Sequence, residues 1–309
     1  MTGFERWGAM MARTLYGPGG FYTRELPGRH FATSAQTPVF AEAVARLVDE
    51  VDERLGRPAA FTVLDVGAGG GELLERLAGL LDERIALRAV ELRPRPEHLP
   101  ARVAWGAEVP ETVEGLLIAC ELLDNVPCDV AVVDADGRIR YEEVNGQGET
   151  RLGGPVSAED AAWLAEWWPI GEPGEKAEIG LPREAKWRDL TARLVRGTAL
   201  AIDYGHMKER RPPAGTMNGF RDGREIPPVP DGTRDITAHV AVDAVECDHR
   251  ERQRDALLRL GLDATLPPVH LAFQNPVGYA HALAAASAAA RLTDPEGLGA
   301  HWWLRTDRD

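Results

Sequence analysis

Four glycines within five positions, Gly67, Gly69, Gly70 and Gly71, separate two strongly patterned segments and restrict what this chain can fold into. Before them, Phe61 to Val66 is a short, apolar, β-branched run, the pattern of a parallel strand buried on both faces. After them, Leu73, Leu74, Leu77, Leu80 and Leu81 recur at helical spacing. Strand, glycine turn and helix in that order predict a unit in which a nucleotide-like ligand lies against bare backbone and a helix N-terminus. The spacing excludes two common occupants. A dinucleotide fingerprint begun at Gly67 needs a third glycine at position 72, where Glu72 stands. That carboxylate, in the first helical turn, would also face a pyrophosphate. A Walker-type loop needs Gly-Lys-Ser/Thr, and no lysine occurs here.

Ile85 to Leu92 predicts a second buried strand ending in an acid, Glu91, which stands 24 positions after Gly67. An acid about 20 residues beyond such a loop accepts hydrogen bonds from ribose hydroxyls; the alternative is a solvated strand-end charge. Ala101 to Trp105 reads as a weak third strand, and Trp105 either flanks an adenine or fills core. Leu116 to Glu121 is a strong fourth strand. It delivers Glu121, and then Asp124-Asn125-Val126-Pro127, to the carboxyl edge of the sheet, where ligands of open α/β sheets sit. Thr198 to His206 returns as a fifth strand with a polar tip of Asp203, Tyr204 and His206.

At 309 residues the chain can hold one large α/β domain, or a core with a cap. Its 35 basic and 49 acidic residues give a net charge of −14, which opposes a bulk nucleic-acid partner and favours a cationic substrate. Cys120, Cys128 and Cys247 are too few and too scattered for a disulfide framework or a zinc site, so no metal is expected. No run approaches the roughly 18 apolar residues of a membrane helix, and the N-terminus has no signal-peptide core. A cytoplasmic location is therefore expected. Nothing in the sequence fixes the oligomeric state.

Residues 1–36 are rich in glycine, aromatics and polar groups and read as a long loop, frayed or functional. A helix follows, with Thr37 as N-cap, Pro38 at its first position, an apolar face of Phe40, Val44, Leu47, Val48, Val51 and Leu55, and a stop at Gly56. It is expected to pack on the sheet. Val130 to Val133 and Arg138 to Tyr141 form a predicted hairpin through Asp136-Gly137. Helices open at Ser157 and Pro182. A further helix is predicted from about Arg250 to Leu260, short strands near 262–266 and 269–274, and an alanine-rich helix over 280–290. The expected organisation is a lid loop and helix over 1–56, a core over 57–127 and 197–290, an inserted hairpin and helical cap over 128–196, and a tail over 291–309.

The run Asp65-Val66-Gly67-Ala68-Gly69-Gly70-Gly71 resembles motif I of the class I S-adenosylmethionine (SAM) methyltransferases. A wider set of stretches carries a narrower likeness: Gly20-Phe21-Tyr22, His30-Phe31-Ala32-Thr33-Ser34, Ala119 to Pro127, Ile202-Asp203-Tyr204-Gly205, Gly215 to Arg221, and Asp235-Ile236-Thr237-Ala238-His239-Val240. In this order they resemble the MidA-type SAM-dependent methyltransferases, the group that includes the mitochondrial complex I assembly arginine methyltransferase, over roughly 16–275. The resemblance implies an α/β fold: a seven-stranded, Rossmann-like class I sheet with helices on both faces and an inserted substrate-side cap. It implies SAM as cofactor, S-adenosyl-L-homocysteine as product and, for the best-known members, symmetric dimethylation of a protein arginine.

Candidate cofactor residues are Asp65, Gly67, Ala68, Gly69, Gly71, Glu91, Leu92 and Trp105, with Thr33 and Ser34 in a lid. Candidate substrate contacts are Tyr22, His30, Tyr204 and His206. Guanidinium is protonated to a pKa near ~13.8 and its fork suits paired carboxylates. Glu121 and Asp124 are thus expected to hold such a cation, with Asp203 beside them; otherwise they cap a helix or orient the SAM amino group. Cys120 stands where the family has asparagine, and Gln36 where it has glutamate, which leaves a small-molecule acceptor open. An assembly chaperone that binds SAM without turnover is the remaining alternative.

Overall fold

The registered backbone pairs from Phe61 with Ile85 to Val66 with Val90 set the frame in which the glycine loop is held. The computed structural model describes residues 3–25 and 33–309; the expected substrate residue His30, with Phe31 and Ala32, lies outside them. The chain divides into two compact units. The central-sheet unit takes Thr33–Cys120, Arg193–Ile202 and Cys247–Asp309, and the second unit takes Met1–Ala32, Glu121–Ala192 and Asp203–Glu246.

The central-sheet unit has strands β1 (Phe61–Val66), β2 (Ile85–Val90), β3 (Val103–Gly106), β4 (Val113–Cys120), β5 (Leu194–Asp203), β6 (His249–Arg252) and β7 (Trp302–Arg308). Their order is β6-β7-β5-β4-β1-β2-β3. The strands from β5 to β3 run parallel, and β6 pairs antiparallel with β7, so the sheet is mixed. From β1 the chain steps outward through β2 and β3, then resumes on the other side of β1 with β4. That reversal is the switch point at which open α/β sheets leave a crevice.

Helices α1 (Pro38–Arg54), α2 (Glu72–Leu80), α3 (Gln253–Arg259) and α4 (Pro276–Leu292) cover this sheet. The predicted face of α1, from Phe40 to Leu55, is buried with Val63, Leu74, Leu116 and Ile202 in one core. Each such side chain contributes about 1.5–3 kcal/mol on burial, so packing rather than helix propensity holds α1 in place. Pro38 occupies the start of α1 as expected, but the Thr37 hydroxyl makes no cap. It donates instead to the Ser34 carbonyl at 3.0 Å, closing the short turn Ser34–Gln36.

Two C-terminal expectations are corrected. Residues 262–266 form no strand, and Leu271–Gln274 is a helical turn. Pro267, Pro268 and Pro276 withhold backbone donors from any ladder, and Phe273 is left 85% exposed. The sheet is completed by β7, in the stretch read as a tail. Trp303 and Leu304 are buried there, and Trp303 meets Phe40 edge-on. The predicted start of the next helix near Arg250 is likewise strand β6, and the helix begins at Gln253.

The second unit holds an antiparallel sheet of Glu5–Arg6, Ile139–Val144, Val130–Val133 and Lys176–Glu178, with Thr150–Pro155 paired to Ile139–Val144. The predicted hairpin is present. The start of the chain is helical, against the loop that its composition predicts. Trp7–Met11 and Ala12–Tyr16 are helices, and Trp7, Met10, Met11, Leu15 and Phe21 pack with Val130, Val144 and Ile236. Ser157 caps the helix Ala158–Trp167, its hydroxyl accepting from Asp160 N–H at 3.0 Å. Leu181–Ala192 forms the helix predicted at Pro182. Two small sheets complete the unit: Gly205–His206 beside Val240–Ala241, and Asn218–Arg221 between Arg224–Ile226 and Asp235–Thr237. Among the described residues, no helix is long and apolar enough to cross a membrane.

At the centre of the large sheet Gly197 pairs with Gly115 at a φ of 122°. A Cβ on Gly197 would lie 1.9 Å from the Gly115 carbonyl oxygen, which cannot move without opening the ladder. Gly197→Ala is expected to cost at least about 3 kcal/mol in urea unfolding, the upper range for strained backbone. Gly79→Ala, on α2 with open space around its Cα, should gain about 0.5–1 kcal/mol.

Candidate functional site

In the central-sheet unit the carboxyl ends of β1 and β2 are joined by the side chain of Glu91. Its Oε2 accepts from Gly69 N–H at 3.0 Å, and its Oε1 accepts from Leu92 N–H at 2.9 Å and Arg93 N–H at 3.2 Å. The Arg93 guanidinium lies 3.4 Å from the same carboxylate. Gly67 N–H reaches back to the Val90 carbonyl at 2.9 Å. Gly71, the residue before α2, has a φ of 81°, and a Cβ there would sit 2.9 Å from Leu99 and 3.1 Å from the Trp105 ring. The result is bare backbone at a helix start, with Leu99 and Trp105 packed close against Gly71.

Trp105 is half-buried beside Gly71, and its indole donates to the Arg93 carbonyl at 2.8 Å. Leu92 is 56% exposed. Asp65 is buried two residues before the loop, and Ala68 is buried within it. Loss of water, with Glu72 and Glu91 nearby, pushes the Asp65 carboxyl up to about 7. Thr33 and Ser34 belong to the same unit. Thr33 closes a capping box with Gln36, and the buried Ser34 hydroxyl exchanges hydrogen bonds with Gln253 at 3.0–3.3 Å. Ser34 thus lies in a polar knot under the C-terminal strand, where Trp303 also donates to Gln253.

In the second unit, Asp124, Asp203 and Asp235 are all buried in one cluster. Asp203 is the last residue of β5. Its Oδ2 accepts Leu123 N–H at 2.8 Å and Asp124 N–H at 3.2 Å, and its Oδ1 accepts Tyr204 N–H at 3.0 Å. Asp124 Oδ2 accepts the Tyr204 phenol and, at 2.7 Å, the Thr237 hydroxyl, two groups that also touch each other. Asp235 Oδ1 accepts the Tyr22 phenol at 2.8 Å and the Asn125 amide at 3.0 Å. Glu121 adopts a φ of 53°, the left-handed region that a non-glycine residue enters at a cost.

The electrostatics follow from burying like charges together. Burial first, then Asp124 and Glu121, raise the Asp203 carboxyl well above the usual carboxylate range. Burial and Asp124 bring Asp235 up to about 7. Burial beside these acids also raises the phenols of Tyr22 and Tyr204, which stay protonated and donate. Among the described residues no group of His, Cys, Asp or Glu is arranged to hold a metal ion.

The sequence expectations meet unevenly in this cluster. It brings Asp124, Asp203, Tyr204 and, through Asp235, Tyr22 together, with Glu121 close enough to act on Asp203. His206 lies outside this hydrogen-bonded set, its ring 6.2 Å from that of His239, which meets Tyr204 edge-on. The His206 Nδ1 faces the Arg211 guanidinium at 2.7 Å and its ring meets Trp168 edge-on. Burial and Arg211 lower His206 to about 3, so it is neutral, with its buried Nε2 making no hydrogen bond among the described residues.

Arg183, which the sequence pattern does not single out, is 1% exposed and donates to the main-chain carbonyls of His239 at 2.8 Å and Asp124 at 3.1 Å. Nothing in the helical pattern of Leu181–Ala192 marks it. Asp235 and Thr237 had a signal, the alternation Asp235-Ile236-Thr237, which puts both polar side chains on one face of a strand.

Asp65 gives this arrangement a pH signature. Its folded carboxyl binds a proton near pH 7 against 3.8 for the free group, so its stabilising contribution is complete below about 3.8 and is lost as pH rises through 7. Asp65→Asn is expected to raise the melting temperature above that of the parent beyond about pH 7, with the gap closing toward about pH 4. A gap that does not change with pH would remove the buried carboxyl as its source.

Three comparisons with known proteins bear on this geometry. A family described as "Putative S-adenosyl-L-methionine-dependent methyltransferase" matches residues 80–258. A Burkholderia thailandensis protein, described as a "likely methyl transferase" and crystallised with S-adenosyl-homocysteine, superposes with a TM-score of 0.78 and 28% identity. That match covers 99% of this chain and 88% of the other. A native structure of an uncharacterised superfamily protein from the same organism gives 0.77 and 27%, with the same coverage. No curated protein matches the chain. The family profile spans more than half of the sequence, and the chain belongs to this family of S-adenosyl-L-methionine-dependent methyltransferases.

Proposed function

We propose that the chain transfers the SAM methyl group to a cationic nitrogen, an arginine guanidinium foremost, on a protein or peptide, and that it is a MidA-type enzyme. The buried acid cluster of the second unit carries this reading. Three aspartates out of water are unfavourable unless protonated or matched by a cation, and two of them hold their protons more tightly than usual for that reason. A guanidinium offers the fork of donors that such carboxylates accept. In this reading Glu121, Asp124 and Asp203 hold the nitrogen and take the proton it gives up, while Tyr22, Tyr204 and His206 line the substrate side.

The central-sheet unit supports the cofactor half. Its strand order and reversal at β1 fit a Rossmann-like class I core, with 128–196 as the inserted cap. Asp65, Gly67, Ala68, Gly69, Gly71, Glu91, Leu92 and Trp105 would hold SAM, with Thr33 and Ser34 ordering the turn before α1. The bare backbone from Gly67 to Gly71 and the carboxylate of Glu91 beside it suit an adenosyl group with free ribose hydroxyls. When bound, the sulfonium supplies the leaving group for an in-line displacement. The relative crystallised with S-adenosyl-homocysteine, 28% identical over 99% of this chain, favours the same assignment. A small cationic molecule is the second reading, favoured by Cys120 in place of the family's asparagine.

Two measurements test this. Asp124→Asn should lower the turnover of tritium-methyl transfer by about 100-fold or more, in the range of a lost acid–base group, while calorimetric affinity for SAM changes by less than about threefold. Equal losses would move Asp124 to the cofactor. Label appearing on protein arginine supports the first reading, and label on small molecules the second. The absence of any uptake of SAM or S-adenosyl-homocysteine by Glu91 and the glycine loop, measured by equilibrium dialysis, would end both.

A further inference from the structure

Strand Asp235–Thr237 divides two environments within the second unit. Asp235 and Thr237 face the acid cluster, while Ile236 between them packs with Trp7 and Val130. Trp7 and Val130 line a separate cavity of about 290 Å³, with Glu142, Lys176, Glu178 and Met217 in its walls and Pro227-Pro228-Val229 at its edge. Its volume is close to the lower end of small-ligand pockets, which begin at about 300 Å³.

The charges in this cavity do not cancel. Val130 pairs with Glu178 on one side, and the pairing of Ala131 with Tyr141 sets Glu142 on the other. Glu142 is matched: it accepts Trp7 Nε1–H at 3.0 Å and Lys176 Nζ at 2.5 Å. Glu178, 2% exposed, accepts Thr216 N–H at 2.7 Å and Met217 N–H at 3.0 Å on Oε1, and the Thr216 hydroxyl at 3.0 Å on Oε2. All three are neutral donors. Two carboxylates therefore face one ammonium across an apolar floor, and that ammonium is already engaged.

A neutral apolar occupant would leave the charge of Glu178 without a counter-charge. An anion would meet two carboxylates. An aliphatic stem with a cationic head satisfies both surfaces, its stem on Val130 and Met217 and its head toward Glu178.

We propose that this cavity is a recognition subsite for a basic side chain, an arginine by preference, presented by a polypeptide. It is additional to the nitrogen site described above and does not depend on it. The wall of this subsite is tied to that cluster through Thr216, whose hydroxyl also accepts His239 N–H at 2.9 Å, two residues along from Thr237. A basic residue seated here would thus brace the segment that carries Thr237.

The test titrates n-butylguanidinium into the full chain and follows the Trp7 indole N–H resonance, assigned through Trp7→Phe. A saturable shift is expected, weakened at least about tenfold by Glu178→Gln, and no shift with n-butanol at equal concentrations. The amide of that variant keeps an oxygen for the two backbone donors, so the fold should survive. If it does not, Val229→Trp at the edge should block binding by filling the cavity. A shift that never saturates, an equal response to n-butanol, or undiminished binding in the variants would overturn the proposal. Methyl transfer is not read in this experiment, so a chain that methylates no cation can still bind the probe.

Discussion

Carboxylate charge withdrawn from water is the constraint on which both units depend. Asp65 lies buried two residues before the glycine loop, and Asp124, Asp203 and Asp235 lie buried in one cluster. Such groups persist only where fixed dipoles replace the solvent. Asp203 meets this with three backbone N–H groups, Asp124 with a phenol and a hydroxyl, and Asp235 with a phenol and an amide. The donors come from segments far apart in sequence, so the cluster also fixes how those segments meet. The proton affinity of Asp203 and Asp235 is raised because desolvation outweighs the donors, with neighbouring acids adding to it.

The glycine loop follows the same logic. Glu91 does not simply project from the end of β2. Its two oxygens gather N–H groups from Gly69, Leu92 and Arg93, which pins the loop to the second strand. The parallel ladder beneath supplies the rigidity, because β1 is hydrogen-bonded on both edges and its side chains are packed against α1 and α2. A loop with almost no side chains of its own is packed against those of its neighbours, among them Leu99 and Trp105. The acid cluster has a comparable brace in Arg183, whose guanidinium binds the main-chain carbonyls of Asp124 and His239.

Long periodic segments were legible in advance, and segments whose partners are distant were not. The strand Phe61–Val66 and the helices Pro38–Arg54 and Glu72–Leu80 each carry enough apolar repeats to declare both type and buried face. In the opening helices, the glycines and aromatics around Tyr16 to Tyr22 mask the helical spacing of Trp7, Met10, Met11 and Leu15. Strand Trp302–Arg308 is hidden because its polar residues, Arg305, Asp307 and Arg308, resemble a solvated end. Only its place between Leu194–Asp203 and His249–Arg252 makes it a strand. Thr37 had the residue type of a cap, yet its hydroxyl found a nearer acceptor in the preceding turn.

The sequence by itself determined the glycine loop, its flanking strand and helix, and the acid that follows on the next strand. These are local patterns whose meaning is set by backbone geometry within a few residues. It also brought Glu121, Asp124 and Asp203 into view, since each stands at or just beyond the end of an apolar run. Tertiary structure alone decided which acids share a site, because Asp124 gains Thr237 and Tyr204, and Asp235 gains Tyr22, across separations of 80 to 213 residues. It alone decided that Arg183 is buried and that Trp7 and Glu178 line one cavity. A charge buried by distant segments leaves no periodic trace, since what it needs is a partner in space and not a neighbour in sequence.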